Sequence, residues 1–175
     1  GGELARAWAP GGDYARHFER PAADDPLYRT TQEVAAEAVK ALSTGLQFGR
    51  DVKLLPVMGK GPDSSQPKRA PFWRSGLTLP AMQAWADGLL GFYRAGGYDF
   101  GEDAWIAANV AGELARLRDV FGALSGPVES VLSDGDGYRR LQLAVLLQKN
   151  AKDLVDQHMA PALGVTIGFN ALDGD

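Results

Sequence analysis

The sequence predicts an all-α protein, an antiparallel up-and-down four-helix bundle with one long loop and an extended C-terminal tail. Three observations lead to this prediction. Apolar residues recur every three or four positions in four long segments, as they do on the buried face of a helix. No segment outside the tail alternates with the period of a β-strand. Two of the three connections between the long segments are short, which favours antiparallel neighbours.

The first long helix is predicted over residues 26–58. Asp25 is the predicted N-cap, since aspartate is a good capping residue and the proline that follows is tolerated in a first helical turn. The apolar stripe keeps its spacing up to Leu46 and becomes less regular at Lys53 and Leu54. We therefore expect a single long helix that buries one face in a bundle.

The second long helix is predicted to begin at Thr78, as its N-cap, and to end at the glycine pair 96–97. Before it lies a loop rich in proline, glycine and serine, residues 59–71. The third helix is predicted from residue 102 or 103 to 124, because the sequence Ser-Gly-Pro that follows stops a helix. The fourth is predicted from 127 to 161, with a break at residues 133–137, and the glycine-rich tail comes after it.

Composition excludes several classes of function. With 175 residues, the chain is long enough for one well-buried domain, predicted to span residues 1–175. Its 18 basic and 22 acidic residues give a net charge of −4 without any basic run, which argues against a nucleic-acid partner. The absence of cysteine excludes disulfides, thiolate zinc sites and cysteine nucleophiles. No apolar run approaches the roughly 20 residues of a membrane span, and no signal peptide is visible.

The stretch PFWRSGLTL, residues 71–79, has two interpretations that the sequence leaves open. In the first, Phe72 and Trp73 close one end of the bundle while Arg74 caps a helix. In the second, Trp73, Arg74 and Ser75 face a cleft, where the planar guanidinium would suit a carboxylate or phosphate. Ser75 would then cap the following helix or donate a hydrogen bond into the cleft.

The histidines and the aspartate-glycine pairs indicate no self-contained metal site. His17 and Glu19 are two residues apart and would point to different sides of a helix, and His158 is isolated near a predicted helix end. DGDG at 134–137 lacks the spaced ligands of a calcium loop and is interpreted as a turn. We predict that no metal binds stoichiometrically to this chain alone.

Three segments together resemble the imelysin family: AWAPGGDYARHF at residues 7–18, PFWRSGLTL at 71–79 and LGVTIGFNALDGD at 163–175. The resemblance implies a helical protein of the bacterial envelope built from two bundles, of which this chain matches the C-terminal one. The family's G-x-H-x-x-E motif is missing here, and its histidine and glutamate cannot be placed on His17 and Glu19 because the spacing differs.

The resemblance also implies where a functional site would lie. We expect the residues that match two family elements, F-W-R-S and G-F-N…D-G-D, to lie near a cleft shared with an N-terminal bundle. These residues are Trp73, Arg74, Ser75, Asn170, Asp173 and Asp175. We expect Arg74 to pair with Asp173 or Asp175, which would hold the tail against the bundle.

Three functions follow as alternatives. The first is a periplasmic or envelope protein implicated in iron uptake, with iron or zinc bound only in the intact protein. The second is a zinc-type peptidase, as the family's older name implies, for which this chain lacks the ligands. The third is a metal-independent module that binds an anionic polysaccharide or another ligand. Expected partners are the N-terminal bundle, a second copy of the chain in a homodimer, or iron-transport components.

Overall fold

The structure, a computed structural model, describes residues 1–166 and 168. Within them the protein is all-α, as predicted, and no β-strand is found in this part of the chain. Two short helices come first, α1 (Gly2–Ala7) and α2 (Ala15–Glu19). They precede the long α3 (Thr31–Gln47), a π-helical segment (Phe48–Leu54) and α4 (Leu55–Met58), which are continuous and together form what we call the first long segment.

The loop after the first long segment contains three short 3₁₀ turns, the last of them formed by Trp73–Ser75. Helices α5 (Thr78–Ala95) and α6 (Trp105–Gly122) follow. The remaining elements are α7 (Val128–Ser133), α8 (Gly135–Leu154), a second π-helical segment (Val155–Met159) and α9 (Ala160–Ala162). We call the last three, which are also continuous, the last long segment.

Contacts between the four long elements form a closed ring in the described residues. The first long segment touches α5, α5 touches α6, α6 touches α8, and α8 returns to the first long segment. Residues from opposite ends meet across each pair, which is the antiparallel arrangement. At the α5–α6 pair, for example, the Tyr93 hydroxyl near the end of α5 donates to the Ala107 carbonyl near the start of α6.

The centre of this ring is the main hydrophobic core. Helix α5 contributes Leu79, Met82 and Leu90 to this core. The largest fully buried apolar side chains come from the first long segment, α6 and the last long segment, and they include Leu42, Leu46, Ile106, Leu114, Leu117, Phe121, Leu141 and Met159. Alanine and glycine bring the helices close together, as at Gly45, whose Cα faces Leu89 of α5. Close packing of this kind makes the core sensitive to changes of a single methyl group.

The predicted start of the first long helix and the predicted capping role of Thr78 are wrong, although α5 does begin at Thr78, and local hydrogen bonds explain both differences. The first long helix begins at Thr31 because the Thr30 hydroxyl accepts from the Glu33 amide, and the Glu33 carboxylate accepts from the Arg29 amide. This arrangement resembles a capping box and overrides the weaker signal at Asp25. Thr78 lies inside α5, and its hydroxyl donates to the Pro71 carbonyl at 2.6 Å instead of capping the helix.

The predicted break at residues 133–137 is confirmed. Helix α7 ends at Ser133, and Asp134 caps α8, since its carboxylate accepts from the Gly137 amide at 2.7 Å. Asp136 binds the Arg140 side chain, which together with a weaker contact from Arg139 lowers its carboxyl pKa. The DGDG sequence thus stops one helix and starts the next, as its interpretation as a turn requires.

Candidate functional site

The corner formed by Phe72–Ser75 follows the long loop and leads into α5. Phe72 has φ = 57°, a left-handed conformation that is strained for a bulky side chain. The Phe72 carbonyl accepts hydrogen bonds from the Ser75 amide (3.1 Å) and the Leu77 amide (3.3 Å). These two bonds close a tight turn that begins at Phe72. Phe72 is 63% exposed in this turn. The strained backbone conformation therefore places an aromatic residue at the surface.

Trp73 is partly buried and packs against the main core. Its indole Nε1 donates to a carboxylate oxygen of Glu129 in α7, which fixes the orientation of the ring. The Lys68 ammonium group lies 5.6 Å from the centre of this ring, within the range of a cation–π contact. Trp73 therefore has features of both proposed roles. It packs against the core, as a residue that closes the bundle would, and it also lines a surface groove.

Arg74 is exposed and makes no hydrogen bond or ion pair within the described residues. Lys68 and Arg69 are exposed as well, and no acidic residue occurs in the sequence from 64 to 86. An open groove of about 420 Å³ is lined by Lys68, Ala70, Phe72, Trp73 and Arg74. The groove is thus cationic and aromatic, which suits an anionic ligand.

Ser75 does not have the predicted role. Its hydroxyl donates to the Phe72 carbonyl at 3.0 Å, and it does not cap α5. The hydroxyl closes the same turn that holds Phe72 in its left-handed conformation. A serine three residues after an exposed carbonyl is well placed for this local bond, which competes with capping.

Asn170, Asp173 and Asp175 lie outside the described residues, so their proposed proximity to Arg74 stays a prediction. The described end of the chain is at the opposite end of the bundle from the corner, because Gln32, near the start of α3, donates to the carbonyls of Leu163 and Gly164. The loop before the corner packs at the other end of the bundle, because the Gln66 amide donates to the Val57 carbonyl near the end of the first long segment.

Helix geometry gives the separation between these ends. At about 1.5 Å per residue, the helix from Gln32 to Val57 is about 38 Å long.

A second polar region, which sequence reasoning missed, lies between α3 and the last long segment. The buried Ser43 hydroxyl donates to Asp156 at 2.6 Å, and Asp156 also accepts from Lys152 at 2.5 Å. Gln148 is only 1% exposed, and its amide donates to the Ala144 carbonyl. We call Ser43, Gln148, Lys152 and Asp156 the polar seam. Its sequence signal is that Gln148 and Lys152 occupy core-facing positions of an otherwise apolar helical stripe.

Gly49, in the π-helical part of the first long segment, allows the seam to close. A Cβ atom at this position would overlap two ring carbons of Trp85 and lie 2.7 Å from Gln148 Oε1. Gln148 Oε1 is the buried side-chain oxygen that has no hydrogen-bond partner within the described residues. The seam is therefore closely packed, and Trp85 fills the space that a larger residue would need.

Both histidines have structural partners. His17 Nδ1 lies 2.6 Å from Asp25, beside a small aromatic cluster of Trp8, Tyr14, Phe18 and Tyr28. The Tyr28 amide and then His17 hydrogen-bond the Asp25 carboxylate and lower its pKa to about 2. The His158 ring contacts Trp105 edge-on at 5.0 Å.

The described residues do not provide a metal site. No group of three or more histidine, aspartate or glutamate side chains in residues 1–166 is placed to hold a metal ion. In the same part of the chain, none of the helices combines the length and the apolar character needed to cross a membrane.

The fold and the corner define an all-α protein with an exposed Phe-Trp-Arg-Ser turn at one end of its bundle. The family model described as Imelysin matches residues 2–158, and the chain therefore belongs to the imelysin family. The match includes the segments 7–18 and 71–79 that suggested the family, whereas the tail lies beyond it. Comparison with curated proteins and with solved structures gave no significant match.

Proposed function

We propose that this imelysin-family chain acts in iron uptake in the bacterial envelope, and that it binds its ligand at a cleft shared with an N-terminal bundle. The observation that most supports this proposal is the exposed corner, where Arg74 has no partner in the described chain and Phe72 is held outward in a strained conformation. Strained residues cluster at sites of recognition, since the surrounding structure must stabilise them.

A shared site is supported by the donor set of the chain. The carboxylates near the corner and the seam are engaged, Glu129 by Trp73 and Asp156 by Ser43 and Lys152. They do not form a three-ligand group within the described residues. If the intact protein binds iron directly, most ligands would therefore come from outside the described part, as oxygen and imidazole donors.

Metal analysis of two proteins tests this proposal. The chain in residues 1–175 and the intact protein would be purified in parallel, with and without chelator, and their iron and zinc content measured. We expect stoichiometric metal only in the intact protein. Stoichiometric iron in the shorter chain alone would contradict the shared site, and loss of the gene without any effect on iron-limited growth would contradict the role in iron uptake.

The third alternative, a metal-independent module for an anionic polysaccharide, is favoured by one specific observation. The groove at the corner combines the cations Lys68 and Arg74 with the ring of Trp73. Retention on an immobilised acidic polysaccharide in the presence of chelator would support this function over metal binding. The peptidase alternative has no comparable support in the described residues, and degradation of a denatured protein substrate by the intact protein would be needed to establish it.

A further inference from the structure

We propose that the groove at the Phe72–Ser75 corner binds a polycarboxylate anion, and that iron reaches this protein within such an anion as an iron chelate. This inference rests on the proposed role in iron uptake and names the form in which the cargo is recognised. Three observations support it: the positive charge of the groove, the hydrogen-bond donors that line it, and the bond that joins Trp73 to the Glu129 carboxylate.

The charge of the groove is the first step. Lys68 and Arg74 line it, Arg69 is adjacent, and none of the three has an ion-pair partner in the described residues. Most other arginines near acidic residues are paired, as Arg140 is with Asp136 at 2.8 Å. A groove lined by unpaired cations repels a bare ferrous or ferric ion and attracts an anion.

The geometry of the donors is the second step. The guanidinium of Arg74 can bind a carboxylate through two parallel hydrogen bonds, and the Lys68 ammonium, which also lines the groove, supplies a second positive charge. The groove is open to solvent and has a volume of about 420 Å³. A ligand with several carboxylates could therefore contact both cations at once.

Trp73 and Glu129 are the third step. The bond from the indole to the Glu129 carboxylate fixes the orientation of the ring, which forms one wall of the groove. This carboxylate partly offsets the positive charge, so we expect the attraction for the anion to be moderate and sensitive to salt.

Calorimetric titration tests the inference. Citrate, ferric citrate and ferrous sulfate under anaerobic conditions would each be titrated into the full chain at low ionic strength. We expect citrate and ferric citrate to bind and ferrous sulfate not to bind. Arg74→Ala should weaken both anions by at least about tenfold, because a charge-assisted hydrogen bond is lost. Arg94→Ala removes an exposed arginine near the end of α5 that has no ion pair among residues 1–166 and 168, so it is the matched control and should leave binding unchanged.

The outcomes separate this inference from the proposed function. Binding of ferrous sulfate without binding of either citrate form would overturn the inference and leave the role in iron uptake intact. Binding of citrate but not of ferric citrate, or equal affinity in the Arg74→Ala variant, would also overturn it. Normal iron uptake in cells without the gene, together with Arg74-dependent binding of both anions, would contradict the proposed function alone. Unchanged thermal unfolding of both variants would exclude misfolding as the cause of weaker binding.

Discussion

The Phe72–Ser75 corner and the polar seam contain similar residue types in opposite environments. In the corner, Arg74 is exposed and has no partner in the described chain, and the turn holds Phe72 outward. In the seam, Ser43 and Gln148 are almost completely buried, and Ser43 binds a carboxylate. The bond from Ser43 to Asp156 therefore contributes to the stability of the seam, whereas the Arg74 guanidinium of the corner remains available to a ligand. Substitutions that affect only stability or only binding test this distinction.

The largest effect is expected at Gly49. Gly49→Ala should lower the free energy of unfolding by about 1–3 kcal/mol, because the new methyl group would overlap Trp85 and crowd Gln148. Denaturation by urea would measure the loss. Gly88→Ala in α5 is the matched control, since its Cβ would meet no atom within 4 Å, and it should be neutral or stabilising. Equal effects of the two substitutions would show that the seam is not closely packed.

Trp73→Ala should cost about 1–2 kcal/mol of unfolding free energy, less than the ~3–5 kcal/mol of a fully buried tryptophan, because only one side of the ring packs against the core. Trp73→Phe keeps most of this packing and removes the bond to Glu129, so it should have a smaller effect. A loss above 3 kcal/mol in the same urea measurement would place the ring in the core and remove it from the groove.

Ser43→Ala should lower the free energy of unfolding by about 1 kcal/mol, the usual contribution of one hydrogen bond. The effect should depend on Asp156, the acceptor. A double-mutant cycle with Asp156→Asn would measure this coupling, and strictly additive effects would show that the bond contributes nothing to stability.

Arg74→Ala should change the free energy of unfolding by less than about 0.5 kcal/mol, because the side chain is exposed and unpaired in the described chain. This is the reverse of its expected effect on anion binding. A large loss of stability would show that Arg74 has a structural partner. The corner, like the seam, would then contribute to the stability of the fold.

A pH-dependent effect on stability is expected for Asp25→Asn. The pKa of Asp25 is lowered from 3.8 to about 2 in the folded protein, so its carboxylate stabilises the fold above pH 3.8, and this contribution is lost as the pH falls toward 2. Asparagine keeps the acceptor oxygen for the Leu27 and Tyr28 amides but does not titrate. Thermal unfolding between pH 5 and pH 2 should therefore depend less on pH in the variant than in the wild type.

Much of the fold could be predicted from the sequence because helical periodicity and glycine-proline pairs are local signals. The break before Asp134 and the end of α5 at Ala95 are examples. The start of α3 was misplaced because two capping signals compete within six residues, and only the geometry shows that Thr30 and Glu33 prevail. Local sequence does not determine such a choice.

The candidate site was predictable in part. The motif 71–79 singled out Trp73 and Arg74 but left open whether they close the bundle or face a cleft. The bond from Trp73 to Glu129 joins positions 56 residues apart and has no local signature. The same holds for Ser43 and Asp156, which are 113 positions apart. Long-range pairs depend on which helix faces meet, and periodicity alone does not specify this.

The π-helical segments account for the irregular stripe at Lys53 and Leu54. A π turn contains about one residue more than an α turn, so side chains after it are rotated by about 100° relative to an uninterrupted α-helix. Both segments lie just before a proline, Pro56 in α4 and Pro161 in α9, where an α-helical hydrogen bond is missing. Deleting one residue from Phe48–Leu54 would therefore rotate the side chains of the helix that follows, up to Met58, relative to the core. Insertions and deletions in this segment should alter the loop that presents the corner, even though the segment itself lies outside the groove.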